Sequence, residues 1–394
     1  MKPAIPIKIF VDAHVFDQEY QGTRTFIKEL YARLAQKQNI QLYLAAHNID
    51  QLKAIFGCAS NIVYIRYKTT SSWPRLLYTI PSILKEYDID FAHFQYMIPP
   101  LNNNKCQYIV TIHDVIFAEY PEEFSLCYRL SKKMLYQLAA SKAAIITTVS
   151  AFSRNSIEKR LGVPPGKTKI ISNGVSNVYF KPYNKERAAA YIAGKYGVEK
   201  YILYVSRFEP RKNHAGLLKA YLELQLYRKG YYLVLLGHQS LSVDEFNSLL
   251  HELPAGIRKF IFINDAINDE ELLEFYRAAT LFVYPSKAEG FGISPLEAAA
   301  LKIPVLCSNA SAMQEFTFFG DQHFNTADHE LLTKKLNDIL CRPPGEATLQ
   351  GISDFIRMNY SWEESAEKFY QLIRHQQQLI SATKQKTNDK LFAS

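Results

Sequence analysis

The stretch Tyr201-Ile202-Leu203-Tyr204-Val205-Ser206-Arg207-Phe208-Glu209-Pro210-Arg211-Lys212-Asn213-His214 holds an apolar, β-branched and aromatic run, then a charged loop, then the start of a helical pattern. A strand that passes through a short polar loop into a helix is the repeating unit of a parallel α/β sheet. The unit recurs downstream, with apolar runs at 232–236, 259–263, 281–284 and 305–308 and helical patterns between them.

Upstream the same alternation fills the first half. Runs at 7–13, 41–46, 62–67, 91–96, 108–113 and 144–149 read as strands, and 170–172 as the last strand before a break. Between them, 25–36 places Phe26, Ile27, Leu30, Tyr31 and Leu34 on one helical face, and 75–87 and 126–142 carry further helical patterns. Residues 173–182 lapse into Asn, Gly, Ser and Pro, which is turn chemistry and reads as a linker. The reading is two doubly wound parallel-sheet domains, 1–175 and 183–360, in a chain whose 394 residues suit two cores. Segment 361–394 reads as one more helix, with Ala366, Phe369, Tyr370 and Ile373 on a face, followed from 375 by a mobile, mildly basic tail.

Hydrophobic residues at 48% and charged residues at 21% exclude disorder or a low-complexity chain. No apolar run approaches the roughly 18 residues of a membrane span, and the first residues lack a signal-peptide pattern, so a cytoplasmic location is expected. Cys58, Cys106, Cys127, Cys307 and Cys341 are odd in number and widely spaced, which points to reduced thiols and to no zinc site. The net charge of +8 favours anionic partners without choosing among phosphates, lipid and nucleic acid. Nucleic acid is set aside, because the charge is dispersed and no binding motif accompanies it. Arg129, Lys132 and Lys133 alternate with Leu130, Met134 and Leu135, and Lys68 and Trp73 add to them. This reads either as a solvated face over a buried one or as a surface for anionic lipid.

In doubly wound sheets ligands sit beyond the carboxyl ends of the strands. Four such places hold chemistry. In 206–213, Arg207 offers a planar fork of donors and Lys212 a point charge, a pair suited to a diphosphate or simply to a solvated loop. In 287–300, Gly290 and Gly292 allow backbone to approach a ligand, Pro295 suits the first position of a helix, and the helix amides face any phosphate. Ser294-x-x-Glu297 has capping-box spacing, so capping and ligand binding both remain open for Glu297, whereas Glu289 has no comparable helix role. His113, at the end of the 108–113 run, offers a hydrogen bond or a proton acceptor. Gly22, in Tyr20-Gln21-Gly22-Thr23-Arg24, is either a close-approach glycine or an ordinary loop residue. The full Gly-x-Gly-x-x-Gly fingerprint and the phosphate loop of ATP hydrolases are both missing.

At these residues the chain resembles the retaining GT-B glycosyltransferases of family 4. Arg207 and Lys212 match that family's basic pair, and Glu289 and Glu297 its two glutamates; Val149-Ser150-Ala151-Phe152-Ser153, Ile171-Ser172-Asn173-Gly174-Val175 and Tyr360-Ser361-Trp362 look like its framework. The resemblance implies a GT-B fold, two Rossmann-like domains facing a central cleft, with the last helix packing back on the first domain. It implies sugar transfer from a nucleotide donor with retention, Glu297 on the ribose, Glu289 on the donor sugar, and His113 on a sugar hydroxyl near the reacting carbon. Gly22, Arg207, Lys212, Gly290, Phe291, Gly292, Ile293 and Glu297 are the implied donor-binding set, and His113, Arg207, Lys212 and Glu289 the catalytic one.

No metal and no other cofactor is expected, since the cations serve the leaving diphosphate. The loop 207–213 looks like that of some mannosyltransferases, which favours GDP-mannose; a UDP-sugar donor, a non-catalytic accessory subunit and an epimerase are the alternatives. The expected partners are a nucleotide-sugar donor, a glycan or lipid-linked acceptor in surface polysaccharide synthesis, and the inner face of an anionic membrane. The chain departs from the family pattern at Gln21-Gly22-Thr23, with one glycine where many members have two, and at Ser311-Ala312-Met313-Gln314-Glu315.

Overall fold

A computed structural model describes residues 6–17, 22–100 and 105–392, with side chains to residue 383. The chain divides into two compact units, Met1–Gly174 with Trp362–Ser394, and Val175–Ser361.

The first unit is built on a parallel sheet of β1 (Ile7–Asp12), β2 (Ile40–Ala46), β3 (Ile62–Arg66), β4 (Phe91–Gln95), β5 (Gln107–Thr111), β6 (Ile145–Thr148) and β7 (Thr168–Ile170). Their order is β3-β2-β1-β4-β5-β6-β7, so the winding reverses between β1 and β4. These strands read as nearly continuous apolar runs because helices cover both faces of such a sheet. On one face Phe10, Phe94 and Tyr108 pack ring to ring at 6.2 and 5.2 Å.

The last helix, Trp362–Phe392, belongs to this unit. Trp362 packs edge-on to Phe26 at 6.0 Å, Phe369 meets Tyr31 at 6.2 Å, and the Tyr370 hydroxyl donates to Asn39 Oδ1 at 2.9 Å. Arg33–Glu363 and Lys37–Glu367 pairs border that seam. The tail expected beyond 375 is instead a continuation of this helix: Gln, Lys, Leu and Ala are strong helix formers, and neither Gly nor Pro interrupts them before Phe392.

The second unit holds β8 (Lys200–Val205), β9 (Tyr231–Leu236), β10 (Ile261–Asn264), β11 (Leu281–Tyr284), β12 (Val305–Ser308) and β13 (His323–Phe324). The order β10-β9-β8-β11-β12-β13 reverses between β8 and β11. Two residues are too few to show a period, which is why β13 is invisible in the sequence.

Three further segments differ from their sequence pattern. The strand expected at 170–172 lies at 168–170, paired with β6. The segment 173–182 is not a free linker: Asn177–Phe180 forms a 3-10 turn, Val175 N donates to Tyr360 O at 2.8 Å, and Arg357 lies over the Phe180 ring, so residues from Val175 pack as part of the second unit. The helix expected over 75–87 opens as a π-turn, Arg75–Thr79, before continuing as Ile80–Glu86, where buried Arg75 is drawn 3.5 Å from Asp12. All five cysteines are free.

Candidate active site

The loops after β8 and β11 meet at the switch point of the second sheet, where doubly wound folds bind ligands. Lys287 N donates to Arg211 O at 2.8 Å, which ties the two loops together. The short turn Pro210–Lys212 ends on Asn213 in the left-handed conformation, and the helix His214–Glu223 follows. This turn sends Lys212 inward: the residue is 6% exposed and its ammonium donates to Glu289 Oε1. The Tyr284 hydroxyl reaches the same oxygen at 2.7 Å.

Arg211, given no role from the sequence, lies further inward than Arg207. Its guanidinium donates to Ala288 O at 2.6 Å and to Glu289 Oε2 at 3.5 Å, and pairs with Glu209 at 2.6 Å. Arg207 lies outside it, with 45% of its side chain exposed, 3.3 Å from Glu209 Oε1. Arg207, Glu209, Arg211, Glu289 and Lys212 therefore form one chain of alternating charges. The alternation Arg207-x-Glu209-x-Arg211 was the available signal for Glu209 and Arg211.

Burial alone would raise the Glu289 carboxyl, but the charges of Lys212 and Arg211 and the donors on Lys212 and Tyr284 outweigh it and hold it at about 2. Burial lowers Lys212 from the ordinary ammonium range, opposed by Glu289 and assisted by the like charge of Arg211. The depression of Glu289 is the firmer direction, since two cations face it while Lys212 faces Glu289 and a competing cation. Ser311 fixes the other end of the glutamate: Glu289 N donates to Ser311 Oγ at 2.7 Å and Ala312 N to Glu289 O at 3.3 Å. The stretch that departs from the family pattern is thus the one that seats Glu289.

Gly292 caps the helix Ile293–Ala300 at φ 90°, and a Cβ there would lie 3.0 Å from Met313 Cγ. Starting the helix at this left-handed glycine puts Ser294 and Pro295 second and third in it, so the capping box that the Ser294-x-x-Glu297 spacing left open does not form, nor is Pro295 first. Glu297 instead accepts from the Tyr276 hydroxyl at 3.1 Å. The residue is half-buried, but its carboxyl is enclosed, and desolvation raises it to about 7 against the hydrogen bonds of Tyr276 and Tyr179. Phe291 is buried, with its ring against Phe316 and Tyr360, each at 6.0 Å.

In the first unit His113 follows β5 and is 8% exposed, with Nε2 2.7 Å from Gln95 Oε1. Burial lowers it to about 4, so the ring is neutral at pH 7. Gly22 is the exposed first residue of the helix Gly22–Leu34, with open space around it; Tyr20 and Gln21 lie outside the described residues. Ser150, in the framework stretch 149–153, caps the helix Ala151–Leu161 by accepting from Ser153 N at 3.0 Å.

Residues 192–350 match the family model for glycosyl transferases group 1, and residues 20–177 that for glycosyltransferase family 4. The chain belongs to the group 1 glycosyltransferases of family 4. Among its relatives, the O-antigen chain mannosyltransferase B of Escherichia coli is 33% identical over 210 residues, 52% of this chain and 54% of that one. The O-antigen chain mannosyltransferase RfbU of Salmonella typhimurium is 26% identical over 242 residues, 61% of this chain and 62% of that one. The chain thus spans about half the length of the curated relatives it matches. The sucrose-phosphate synthase of Thermosynechococcus elongatus superposes with a TM-score of 0.75 at 20% identity, covering 96% of this chain and all of that one, a likeness of GT-B fold. Among the described residues no helix is long and apolar enough to cross a membrane.

Proposed function

We propose that this chain transfers a sugar, with retention at the anomeric carbon, from a nucleotide donor to a glycan or lipid-linked acceptor in surface polysaccharide synthesis, and that the donor is GDP-mannose. The observation that carries this reading is the buried Lys212–Glu289–Arg211 cluster beside the amino end of the helix Ile293–Ala300, at the switch point between β8 and β11. The names of the two mannosyltransferase relatives support the choice of sugar.

When a nucleoside diphosphate leaves, negative charge grows on its β-phosphate. Lys212, with Arg207 reaching outward and the amides near Gly292 and Ile293, stabilises that charge from positions set before reaction. Arg211 acts as an internal strut that keeps Glu289 ionised. Glu289 then accepts from a hydroxyl of the donor sugar at Oε2, whose one donor among the described residues, Arg211, lies at 3.5 Å; held ionised by Lys212, Tyr284 and Arg211, it does not serve as a nucleophile. The leaving phosphate takes the proton of the acceptor hydroxyl on the same face. Glu297 holds the ribose hydroxyls, and His113 a sugar hydroxyl. These cations supply what a metal would, and no cofactor is proposed.

The helix Leu126–Lys142 leaves Leu126, Leu130 and Met134 exposed at 61%, 54% and 70%, a stripe at every fourth residue beside Arg129 and Lys133. An apolar stripe flanked by cations suits the face of an anionic membrane, and we place the protein there, on the inner leaflet in the cytoplasm.

Incubation with GDP-mannose, UDP-glucose and UDP-N-acetylglucosamine and a panel of glycan acceptors, with NMR of the product anomer, tests the reading. Transfer of α-mannose from its α-linked donor is expected. An inverted product, or donor binding with no transfer to any acceptor, overturns it.

A further inference from the structure

Behind His113, strands β4 and β5 bury polar side chains that sugar transfer as described does not use. His93 is fully enclosed and Gln95 is 5% exposed. The carboxamide of Gln95 bridges two imidazoles: its Oε1 lies 2.7 Å from His113 Nε2 and its Nε2 lies 3.2 Å from His93 Nε2. An amide has one end that only accepts and one that only donates. It can serve two neutral imidazole nitrogens only if one is protonated and the other bare. His113 therefore carries its proton on Nε2, and His93 does not.

The other partners of His93 are hydroxyls, which adapt to this tautomer: Thr111 Oγ1 lies 2.7 Å from Nε2 and shares that nitrogen with Gln95, Thr111 in turn is 2.7 Å from Thr147, and Tyr31 Oη lies 2.8 Å from Nδ1. Turning the amide over would invert both rings together, so the two tautomers are locked as a pair. Phe26, edge-on at 5.1 Å, and Tyr96, at 5.5 Å, hold the His113 ring in place. Burial keeps both rings neutral, lowering His93 to about 3 and His113 to about 4. The titratable groups around His113 are His93, Tyr96, Tyr31 beyond His93, and its chain neighbour Asp114, whose Oδ1 accepts from Ile116 N.

We propose that Gln95 is a positioning residue that fixes the proton of His113 on Nε2 and so presents Nδ1 as an acceptor for a substrate hydroxyl. The tautomer stands on geometry alone; its catalytic consequence rests on the reading of His113 as a sugar contact.

Nitrogen-15 NMR of the imidazoles in the full chain at pH 7 tests the lock directly. Expected is a protonated Nε2 on His113 and a protonated Nδ1 on His93; the same tautomer on both rings overturns the proposal, whether or not any variant folds. Gln95→Met keeps the volume and removes both hydrogen bonds. It should leave His113 in a mixture of tautomers and lower kcat about tenfold with donor KM within twofold. Gln95→Glu retains an acceptor against Nε2, so it should keep the wild-type His113 tautomer, move the acid limb of the pH–rate profile upward and exceed Gln95→Met in activity. A purely structural Gln95 predicts the opposite order, because a buried carboxylate is worse tolerated than a thioether. An unchanged His113 tautomer in Gln95→Met overturns the proposal. If the tautomers are as stated while His113→Ala retains full turnover, the sugar contact fails and the lock stands.

Discussion

The Lys212 ammonium donates to Glu289 Oε1 inside the second unit, with both residues less than one-tenth exposed. Removing Glu289 leaves the buried Lys212 ammonium without its carboxylate, whereas removing Lys212 leaves Glu289 with Arg211, 3.5 Å away, as its remaining cation.

Lys212→Ala is expected to lower turnover about a hundredfold, about 3 kcal/mol of transition-state stabilisation. It should also destabilise the fold by up to about 3 kcal/mol, since Glu289 then keeps only the more distant Arg211 as a buried cation. The double variant Lys212→Met with Glu289→Gln should regain most of the stability and none of the activity. Thermal melts alongside rate measurements check this, and a lone Lys212→Ala variant with wild-type turnover removes Lys212 from the site.

Glu289 sits below its usual 4.5, at about 2, so its ionised form is favoured in the fold. Its contribution to stability is complete above about pH 4.5 and is lost as pH falls toward 2. Urea denaturation of wild type and Glu289→Gln over that window should show a shallower acid decline in the variant. Asp12, also held at about 2, leaves a residual decline in both.

Glu297 behaves in the opposite sense. Its folded value of about 7 lies above the usual 4.5, so the protonated form is favoured and the associated stability is lost as pH rises through 7. Ribose hydroxyls donate to the ionised form, so nucleotide binding at pH 6.5 should release a proton. Calorimetry in buffers of different ionisation enthalpy measures that release, and Glu297→Gln should abolish it. Because Gly292, not Ser294, caps the helix, the same variant should lose little thermal stability.

Gly292→Ala is expected to destabilise by at least about 1–2 kcal/mol, for the left-handed backbone and the crowding of Met313 together. Weaker GDP binding should accompany it, read by thermal shift, because the helix amides are displaced. A variant with unaltered melting and binding contradicts the close approach at Gly292.

Leu130→Glu with Met134→Glu should abolish sedimentation with anionic vesicles while leaving the melting temperature within a degree or two, since both side chains face solvent. Equal binding by the double variant removes this helix as the membrane-facing surface.

The alternation of apolar runs and helical faces in the sequence was enough to fix two parallel-sheet domains, because a strand buried on both faces must be apolar along its whole length. The loops after β8 and β11 could be named for the same reason: ligand chemistry gathers at strand ends. What the sequence left open was which charge points inward. Arg207 and Arg211 are equivalent in spacing and chemistry, and only the turn Pro210–Lys212 with left-handed Asn213 puts Arg211 on Glu289 and leaves Arg207 outside. Glu297 was divided between cap and ligand contact until the backbone at Gly292 started the helix two residues early. Gln95 and His93 carried no signal, since alternate residues of a buried strand look alike whether they pack or bridge. Local pattern follows from each residue's own solvation and backbone preference, whereas a partner some 80 positions away, as Glu289 is from Lys212 and Arg211, is chosen only when the sheet brings the two loops together.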